Sequence, residues 1–409
     1  MQTTSASNRR NIIFLVIVAS FGYFVDIYDL VIFSIVRIQS FHDIGIPVAE
    51  MRRGGEYVLN MQMGGLLLGG IIWGIIGDKF GRIKVLFGSI LLYSFANMAN
   101  AYVSNINSYA IVRFVAGIGL AGELGAGITL VSESMHKDKR GYGTMIVAVI
   151  GVLGALMAFF VATHFDWRNA YLVGGGIGIL LLLLRIGTFE SGLYKNTTGK
   201  NIKKGKFSML FSTKERALRY LYCLLIGLPI WFVVGIFVTQ APEFGRALGS
   251  TETLSAGKGI LFTYIGISLG DLFAGLLAQI TRSRKLAVFI FQIGIIISSV
   301  WYLSSTGITQ QKFHWIAFFF GLGVGYWATF VTISSEQFGT NLRSTVTTTA
   351  PNFVRGALIP STFLFEFFVR RSNIITAGYI MIFLLTAIAL FALSQLKESF
   401  NKDLNYLEE

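Results

Sequence analysis

A series of long apolar runs, separated by short charged segments, limits what this chain can fold into. A helix needs about 20 mostly apolar residues to cross the hydrocarbon of a bilayer. Twelve runs approach or exceed that length, at residues 12–36, 57–76, 84–103, 107–131, 143–163, 169–187, 219–240, 258–280, 286–305, 313–335, 345–369 and 373–396. Only 13% of the 409 residues are charged, whereas soluble domains carry about 25%. The sequence therefore predicts an all-α membrane protein with twelve transmembrane helices.

A basic polar segment divides these runs into two groups of six. Residues 188–217 separate the sixth run from the seventh and contain seven Lys and Arg residues. We therefore predict an N-terminal six-helix bundle at 1–187, a cytoplasmic linker at 188–217 and a C-terminal six-helix bundle at 218–409.

The two groups also repeat each other at an offset of 203 residues. Ser132-Glu133 is followed by Arg140, and Ser335-Glu336 is followed by Arg343 at the same spacing. Internal repeats of this kind are typical of carriers with equivalent halves and a site near the midplane between them. The repeat predicts two pseudo-symmetric bundles that give alternating access to a central site by rocking.

The distribution of Lys and Arg predicts the orientation. Cytoplasmic segments of membrane proteins are enriched in these residues. With both termini inside, about 23 Lys and Arg residues fall on inside segments and about nine on outside ones. The net charge of +13 then reflects orientation and contact with anionic lipid headgroups rather than nucleic-acid binding. We expect a multi-pass protein of the cell membrane, in a bacterium the inner membrane, with both termini cytoplasmic.

Four ionisable residues inside the predicted helices are candidates for proton coupling. A charge at the bilayer centre is costly, so each one needs a reason. Asp26 and Asp29 lie three residues apart on one helix face, where repulsion and burial disfavour ionising both. Glu123 lies near mid-depth between glycines, and Arg113 is suited to act as the movable partner of a titrating acid. The alternative is that these residues pair or cap helices to hold the fold.

Arg355 is the candidate for binding an anionic group, because it lies near mid-depth in the eleventh helix. The alternative is that it pairs with Glu336 or with a backbone carbonyl. Amphipathic side chains often line such a cavity, although they also pack on apolar faces or form interfacial belts. The further candidate substrate-binding residues are Tyr23, Tyr28, Trp231, Gln240, Tyr326, Trp327 and Asn352.

A short charged loop joins the second and third runs and reads Gly77-Asp78-Lys79-Phe80-Gly81-Arg82-Ile83-Lys84. It resembles the loop between helices 2 and 3 of the major facilitator superfamily. Arg113 at the start of helix 4 and the Asp166-Trp167-Arg168 step extend the resemblance, which covers essentially the whole chain. The equivalent stretch Thr281 to Lys285 keeps the basic residues but lacks the Asp-x-x-Gly-Arg form. We expect a cytoplasmic gate formed by Gly77, Asp78, Gly81, Arg82, Glu133 and Arg140, with Glu336 and Arg343 as partners in the other half.

Two shorter stretches resemble particular branches of that superfamily. Asp26-Ile27-Tyr28-Asp29 is similar to the acid-x-aromatic-Asp signature in helix 1 of organic-acid and phosphate proton symporters. Gly122-Glu123-Leu124-Gly125 resembles a Gly-Glu-aromatic-Gly stretch of metabolite:proton symporters, with Leu124 in place of the aromatic residue. The resemblance implies that Asp26, Asp29 and Glu123 contribute to proton coupling or substrate binding.

Two functions from different classes remain open. The first is a secondary active transporter that imports a small organic anion or zwitterionic metabolite together with protons. The second is a proton-driven exporter of a drug-like compound or siderophore, which the proline-free fifth helix mildly disfavours. The sequence contains no P-loop, and its four His residues are dispersed. We therefore expect no enzyme activity, cofactor or metal, and a monomer whose partners are the substrate, protons and lipid.

Overall fold

The structure, a computed structural model, describes residues 2–80, 82–123, 127, 140–189, 207–400 and 408. These residues are overwhelmingly helical, and no strand occurs among them. The first set of helices consists of α1 (Gln2–Asp43), α2 (Met51–Phe80), α3 (Arg82–Asn100), α4 (Ile106–Leu120), α5 (Arg140–His164) and α6 (Trp167–Phe189).

The second set contains several interrupted helices. It consists of α7a (Lys214–Leu225), α7b (Leu228–Phe232), α7c (Ala241–Ala247), α8 (Ala256–Thr281), α9 (Arg284–Leu303), α10a (Gln310–Val324), α10b (Trp327–Glu336), α11a (Thr340–Gly356), α11b (Leu358–Arg371) and α12 (Ile374–Gln395). A 3-10 turn at Phe207–Phe211 precedes α7a, and a π-helical turn at Val233–Val238 follows α7b.

The prediction of an all-α membrane protein is confirmed. Among the described residues, eight helical segments are long and apolar enough to cross a membrane, and two shorter apolar helices accompany them. Large apolar side chains such as Ile280, Ile297 and Phe363 are at least 64% exposed. Exposure of many large apolar side chains would be unfavourable in water but suits contact with lipid.

The two sets pack mainly within themselves. In the first set α1 packs on α5 and α6, and α2 packs on α4. In the second set α8 packs on α10a. The sets meet where α2 contacts α11a and α11b and where α5 contacts α8. The exact division at residues 187 and 218 stays a prediction, because residues 190–206 lie outside the described part of the chain.

Glycine contacts recur between the sets as the repeat predicts. A Cβ on Gly117 would overlap the carbonyl of Gln62, so α4 and α2 touch backbone to backbone. A Cβ on Gly321 would overlap the carbonyl of Thr263, so α10a and α8 touch in the same way. Small residues permit this approach in membrane helices. When the 203-residue offset is added, the residue numbers of the α2–α4 contact fall within a few positions of those of the α8–α10a contact.

The helices begin at clear sequence signals. Short polar side chains at the N-caps accept the backbone N–H three residues further on, which satisfies donors that have no partner within the helix. Caps of this kind are Asn105, Thr213, Ser255, Ser283, Thr309 and Asn373.

Three predicted spans are not continuous helices. The runs at 219–240, 313–335 and 345–369 predict unbroken helices, but α7, α10 and α11 are each interrupted near their middle. Gly227 and Pro229 start α7b, Gly325 ends α10a, and Ala357 separates α11a from α11b. Gly and Pro weaken or remove helical hydrogen bonds, so breaks at the first two positions have a local cause.

The predicted gate can be tested only in part. Helix α2 runs to Phe80 and α3 starts at Arg82. Gly81 and Glu133 lie outside the described residues, as do the side chains of Asp78, Arg82 and Arg140 and the surroundings of Gly77. Because consecutive helices alternate in direction, the chain termini define one end of the bundle, called here the termini end. The opposite end, where α1 ends at Asp43, is called the far end.

Candidate functional site

An acid of the first set meets a base of the second set in the middle of the molecule. Arg355 Nη2 lies 3.8 Å from Asp26 Oδ2, and the two side chains are 1% and 0% exposed. Asp26 belongs to α1, and Arg355 lies one residue before the end of α11a. The structure thus brings together the candidate anion-binding residue and one candidate proton-coupling residue.

Two tryptophans form walls beside this pair. The Arg355 Cζ atom lies 5.5 Å from the ring centroid of Trp231 and 5.6 Å from that of Trp327. The two indole rings are 6.2 Å apart and nearly perpendicular. Trp231 follows the Gly227 break, and Trp327 is the first residue of α10b. The interrupted helices of the second set therefore carry all three side chains to one place.

Several polar atoms of this cluster have no hydrogen-bond partner among the described residues. They are both Oδ atoms of Asp26, Nε of Arg355 and Nε1 of Trp231, all of them buried. Buried polar groups in proteins are nearly always hydrogen-bonded, so such a group of exceptions needs an explanation. A bound polar molecule with an acidic group would supply acceptors for Arg355 and Trp231.

Two tyrosines and an asparagine complete the cluster. Tyr23 of α1 and Tyr264 of α8 are buried, and the two helices that carry them contact each other. Asn352 Nδ2 donates to the carbonyl of Ala121 in the first set at 3.0 Å. We call Tyr23, Asp26, Trp231, Tyr264, Trp327, Asn352 and Arg355 the central cluster.

The other candidate substrate-binding residues lie elsewhere. The Tyr28 hydroxyl donates to the carbonyl of Ala170 at 2.7 Å, within the first set. The Tyr326 hydroxyl donates to the carbonyl of Ile226 at 2.8 Å, within the second set. Gln240 Nε2 donates to a carboxylate at the far end. These three side chains are engaged in contacts that hold helices together.

The remaining candidate proton-coupling residues form two closed ion pairs. Arg113 Nη1 donates to Asp29 Oδ1 at 2.8 Å, and Nη2 donates to the Asp29 carbonyl at 2.7 Å. The acid that Arg113 accompanies is therefore Asp29 rather than Glu123 on its own span. Glu123 accepts hydrogen bonds at 2.8–2.9 Å from both terminal nitrogens of Arg185 and from Ser89 Oγ.

Glu336 and Arg343, the gate candidates whose side chains are described, contact neighbouring residues of the second set. Glu336 Oε2 lies 2.7 Å from Arg284 Nε, in the stretch that is equivalent to the Gly77–Lys84 loop. Arg343 Nε donates to the carbonyl of Ser335 at 3.3 Å. The alternative in which Arg355 pairs with Glu336 is therefore wrong.

A second group of ion pairs joins the two sets at the far end. Arg37 Nη2 donates to Glu243 Oε2 at 2.9 Å, and Gln240 Nε2 donates to Glu56 Oε1 at 2.8 Å. Arg52 pairs with Glu56 and also contacts Glu366. We call the contacts made by Arg37, Arg52, Glu56, Gln240, Glu243 and Glu366 the far-end latch.

Sequence reasoning missed this latch and two residues of α8, Tyr264 of the central cluster and Asp271. Arg37, Arg52, Glu56 and Glu243 fall near the ends of apolar runs, where charges are ordinary and give no signal. Asp271 is different, because it lies well inside the predicted span 258–280. The cost of a buried charge, which singled out Asp26 and Arg355, would have singled it out as well.

Membrane-spanning helices around a buried polar cluster define a membrane transporter. A family model described as Major Facilitator Superfamily matches residues 12–360. The chain belongs to that superfamily.

Individual comparisons agree with this family. The chain is 26% identical over 348 residues to a putative niacin/nicotinamide transporter of Bacillus subtilis (strain 168), covering 83% of this chain and 84% of the relative. It is 27% identical over 278 residues to a 4-hydroxybenzoate transporter of Acinetobacter baylyi, covering 58% of this chain and 60% of the relative. The fold is similar to that of the proton:xylose symporter XylE bound to 6-bromo-6-deoxy-D-glucose, with a TM-score of 0.71, 16% identity and coverage of 97% and 98%.

Proposed function

We propose that the protein imports a small organic anion together with protons, by alternating access to the central cluster. The observation that carries this proposal is the loose pair between Asp26 and Arg355, at 3.8 Å between the two sets of helices. Both groups are buried, and neither acidic oxygen of Asp26 accepts a hydrogen bond from a described residue.

Coupling follows from competition for one guanidinium. An ionised Asp26 and a bound carboxylate would place two negative charges beside Arg355 in a region of low dielectric, where like charges repel strongly. A proton on Asp26 removes one of those charges and frees Arg355 to bind the substrate. Binding of one carboxylate then takes up one proton, which is the requirement for symport.

The substrate class that fits best is a flat aromatic carboxylate. Trp231 and Trp327 offer aromatic faces beside Arg355, and a substrate ring can pair favourably with an indole ring. The relatives that transport niacin and 4-hydroxybenzoate, as their names state, act on small ring compounds. Arg355 would bind the carboxylate, with Trp231 Nε1 as a further donor.

The Asp29–Arg113 pair would be a second point of proton exchange. It lies entirely inside the first set, with both side chains 0% exposed. A proton on Asp29 would break a charge-assisted bond and leave Arg113 to its backbone and Asn97 acceptors. In this proposal the pair couples the protonation of α1 to its packing against α4.

We also propose that the termini end faces the cytoplasm of the cell and the far end faces outside. The Lys and Arg distribution supports that orientation. The far-end latch then closes the outer side in the described state, and uptake requires it to open and reclose in each cycle. The contacts between the two sets must break in each cycle, and a few ion pairs can break more easily than a continuous apolar interface.

The coupling mechanism is tested by Asp26→Asn in proteoliposomes. The amide imitates the protonated acid, so we expect exchange of labelled substrate for unlabelled substrate to persist, while accumulation driven by an inward proton gradient is lost. Asp43→Asn, at the exposed end of the same helix, is the matched control and should accumulate substrate normally. Arg355→Lys should weaken binding about tenfold, because a single ammonium cannot replace a planar guanidinium. Gradient-driven accumulation by Asp26→Asn at the wild-type level would refute the mechanism.

A further inference from the structure

Asp271 is a membrane-embedded acid to which the proposed transport mechanism gives no role. It lies on α8, ten residues before the end of that helix at Thr281. An acid inside a membrane span is costly unless something stabilises its charge. Asp271 Oδ1 accepts a hydrogen bond from the backbone N–H of Ala328, the second residue of α10b, at 2.9 Å. Its partner is thus the start of a helix rather than a basic side chain.

The break in helix α10 explains why this acid is needed. Helix α10a ends at Val324, and α10b starts at Trp327, so the first N–H groups of α10b have no acceptor within their own helix. Tyr326 at the N-cap makes no side-chain hydrogen bond to them. The carboxylate of Asp271 supplies that cap from the neighbouring helix, and its negative charge is favourable at a helix N-terminus.

Two glycines bring the carboxylate to the break. A Cβ on Gly325 would lie 2.6 Å from the Cα of Gly270, and a Cβ on Gly270 would lie 2.7 Å from the carbonyl oxygen of Leu322. Any larger residue would therefore push α8 and α10a apart. This backbone contact places residue 271 next to the first turn of α10b.

The first residue of the capped helix, Trp327, is also a wall of the central cluster. The Trp327 ring centroid lies 6.2 Å from that of Trp231 and 5.2 Å from that of Phe330, and Arg355 stacks on it. Asp271 holds the backbone N–H of Ala328, the residue that follows Trp327, while the Trp327 ring lies beside the Arg355 guanidinium. A change at residue 271 is therefore transmitted to the ring through one residue.

We propose that Asp271 is a positioning residue of the central cluster: by capping α10b it fixes the Trp327 wall and so sets substrate affinity, without exchanging the transported proton. The claim about affinity rests on the proposed transport function, whereas the claim about Trp327 does not. Two variants distinguish the hydrogen-bond acceptor that the carboxylate provides from its negative charge. Asp271→Asn retains an oxygen that can accept from α10b, and Asp271→Ala removes the cap.

The first measurement needs no substrate. The emission of Trp327 is obtained as the difference between each protein and its Trp327→Phe counterpart. We expect this component to shift to longer wavelength and to be quenched more strongly by acrylamide in Asp271→Ala, with a smaller change in Asp271→Asn. Asn373→Ala removes a comparable cap at the start of α12 and should leave it unchanged. An unchanged Trp327 component in Asp271→Ala would overturn the positioning role.

The second measurement uses nicotinate and 4-hydroxybenzoate as transport probes. We expect Asp271→Ala to raise KM about tenfold, as the loss of one charge-assisted contact would, with the number of protons per substrate unchanged. Asp271→Asn should raise KM by less, and Asn373→Ala should not change it. If Asp271→Ala does not fold, Asp271→Asn decides: loss of gradient-driven accumulation with intact exchange would make Asp271 a proton carrier and overturn the proposal. If the wild-type protein transports neither probe, the aromatic-acid proposal fails, and the fluorescence result still decides the position of Trp327.

Discussion

At the scale of single residues, four buried arginines differ in how closely each contacts a carboxylate, and this difference distinguishes the structural arginines from the one proposed to bind substrate. Arg37, Arg113, Arg185 and Arg355 are among the largest fully buried side chains. Three of them lie 2.8–2.9 Å from a carboxylate oxygen, whereas Arg355 lies 3.8 Å from its acid. A buried charge without a close partner costs several kcal/mol, roughly 3–5 when a partner is removed. Arg355 is therefore the guanidinium best placed to accept an incoming anion.

Glu123 offers a prediction at this scale. Its carboxylate is held by Arg185 and Ser89, so we expect Glu123→Gln to destabilise the protein by about 3 kcal/mol, because it replaces the carboxylate that both terminal nitrogens of the buried Arg185 contact with a neutral amide. Replacing both partners, with Arg185→Met added, should recover much of the melting temperature. Thermal unfolding in detergent measures both effects.

The double variant, Glu123→Gln with Arg185→Met, also tests whether Glu123 takes part in proton coupling. We expect protons per substrate to be unchanged in the Glu123→Gln and Arg185→Met double variant if the pair is structural. A double variant with wild-type stability that has lost gradient-driven accumulation would instead assign Glu123 to proton transfer, as the resemblance to metabolite:proton symporters implies.

Residue identities could be predicted better than residue partners. The cost of burying charge identified Asp26, Asp29, Arg113 and Arg355 from the sequence alone. It could not show that Asp26 faces the second set while Asp29, three residues on, faces Arg113 in the first. Partners depend on which helices pack together, and no local pattern encodes that choice.

At the scale of helices, the breaks in the second set were the feature that the sequence did not reveal. Apolar length predicts that a segment crosses the membrane but does not report where it bends. The chain contains 46 glycines, and the sequence alone does not distinguish Gly227 and Gly325, which lie at helix breaks, from glycines that only pack against neighbouring helices. The breaks matter because Trp231, Trp327 and Arg355 each stand beside one of them. The site is thus built from helix ends rather than from continuous faces.

The start of α9, at the termini end, yields a prediction of how the stability of the folded protein depends on pH. Partial burial alone would raise the pKa of the Glu398 carboxyl, but the Ser283 hydroxyl and the backbone N–H groups of Phe400, Arg284 and Lys285 donate to it and hold its pKa below the usual value. A lowered pKa in the folded state adds stability above the unfolded value, about 4.3 for Glu, and this stability is lost as pH falls through the folded value.

We therefore expect Glu398→Gln to lower the melting temperature at neutral pH, and the difference from wild type to shrink once the pH falls below about 4. The matched control is Glu50→Gln, which changes an exposed glutamate in the turn before α2. Thermal unfolding across this pH range measures the effect. A difference that stays constant from neutral to acid pH would show that the carboxylate charge at the start of α9 is not the cause.

At the scale of the whole molecule, the contacts between the two sets differ along the membrane normal. In the middle the sets meet through the loose Asp26–Arg355 pair, and at the far end they meet through the tight far-end latch. The twelve apolar runs and the 203-residue repeat predicted a two-set architecture, but neither predicted which end is closed. That property depends on which side chains at the helix ends meet across the two sets, such as Arg37 and Glu243, and apolar length does not report it.

Alternating access predicts that the far end must open, and the chain allows a direct test. Ser34 Oγ and Thr239 Oγ1, on opposite sets, lie 3.0 Å apart beside the Arg37–Glu243 pair. A disulfide joins Cβ atoms about 3.5–4.5 Å apart, and two hydroxyls in hydrogen-bond contact belong to side chains close enough for a cross-link to be attempted. The only native cysteine is the buried Cys223, so a Cys223→Ala background makes the test clean.

In that background we expect Ser34→Cys with Thr239→Cys to lose transport on oxidation and to regain it on reduction, because the disulfide holds the far end shut. Either single cysteine variant should be insensitive to oxidant, which controls for damage elsewhere. The yield of the disulfide is read from the loss of thiols that a maleimide reagent can label. Full transport by protein that is completely cross-linked would mean that the substrate does not pass between the two sets at this end. The far-end latch would then be a fixed part of the fold, and access to Asp26 and Arg355 would have to be sought along another path.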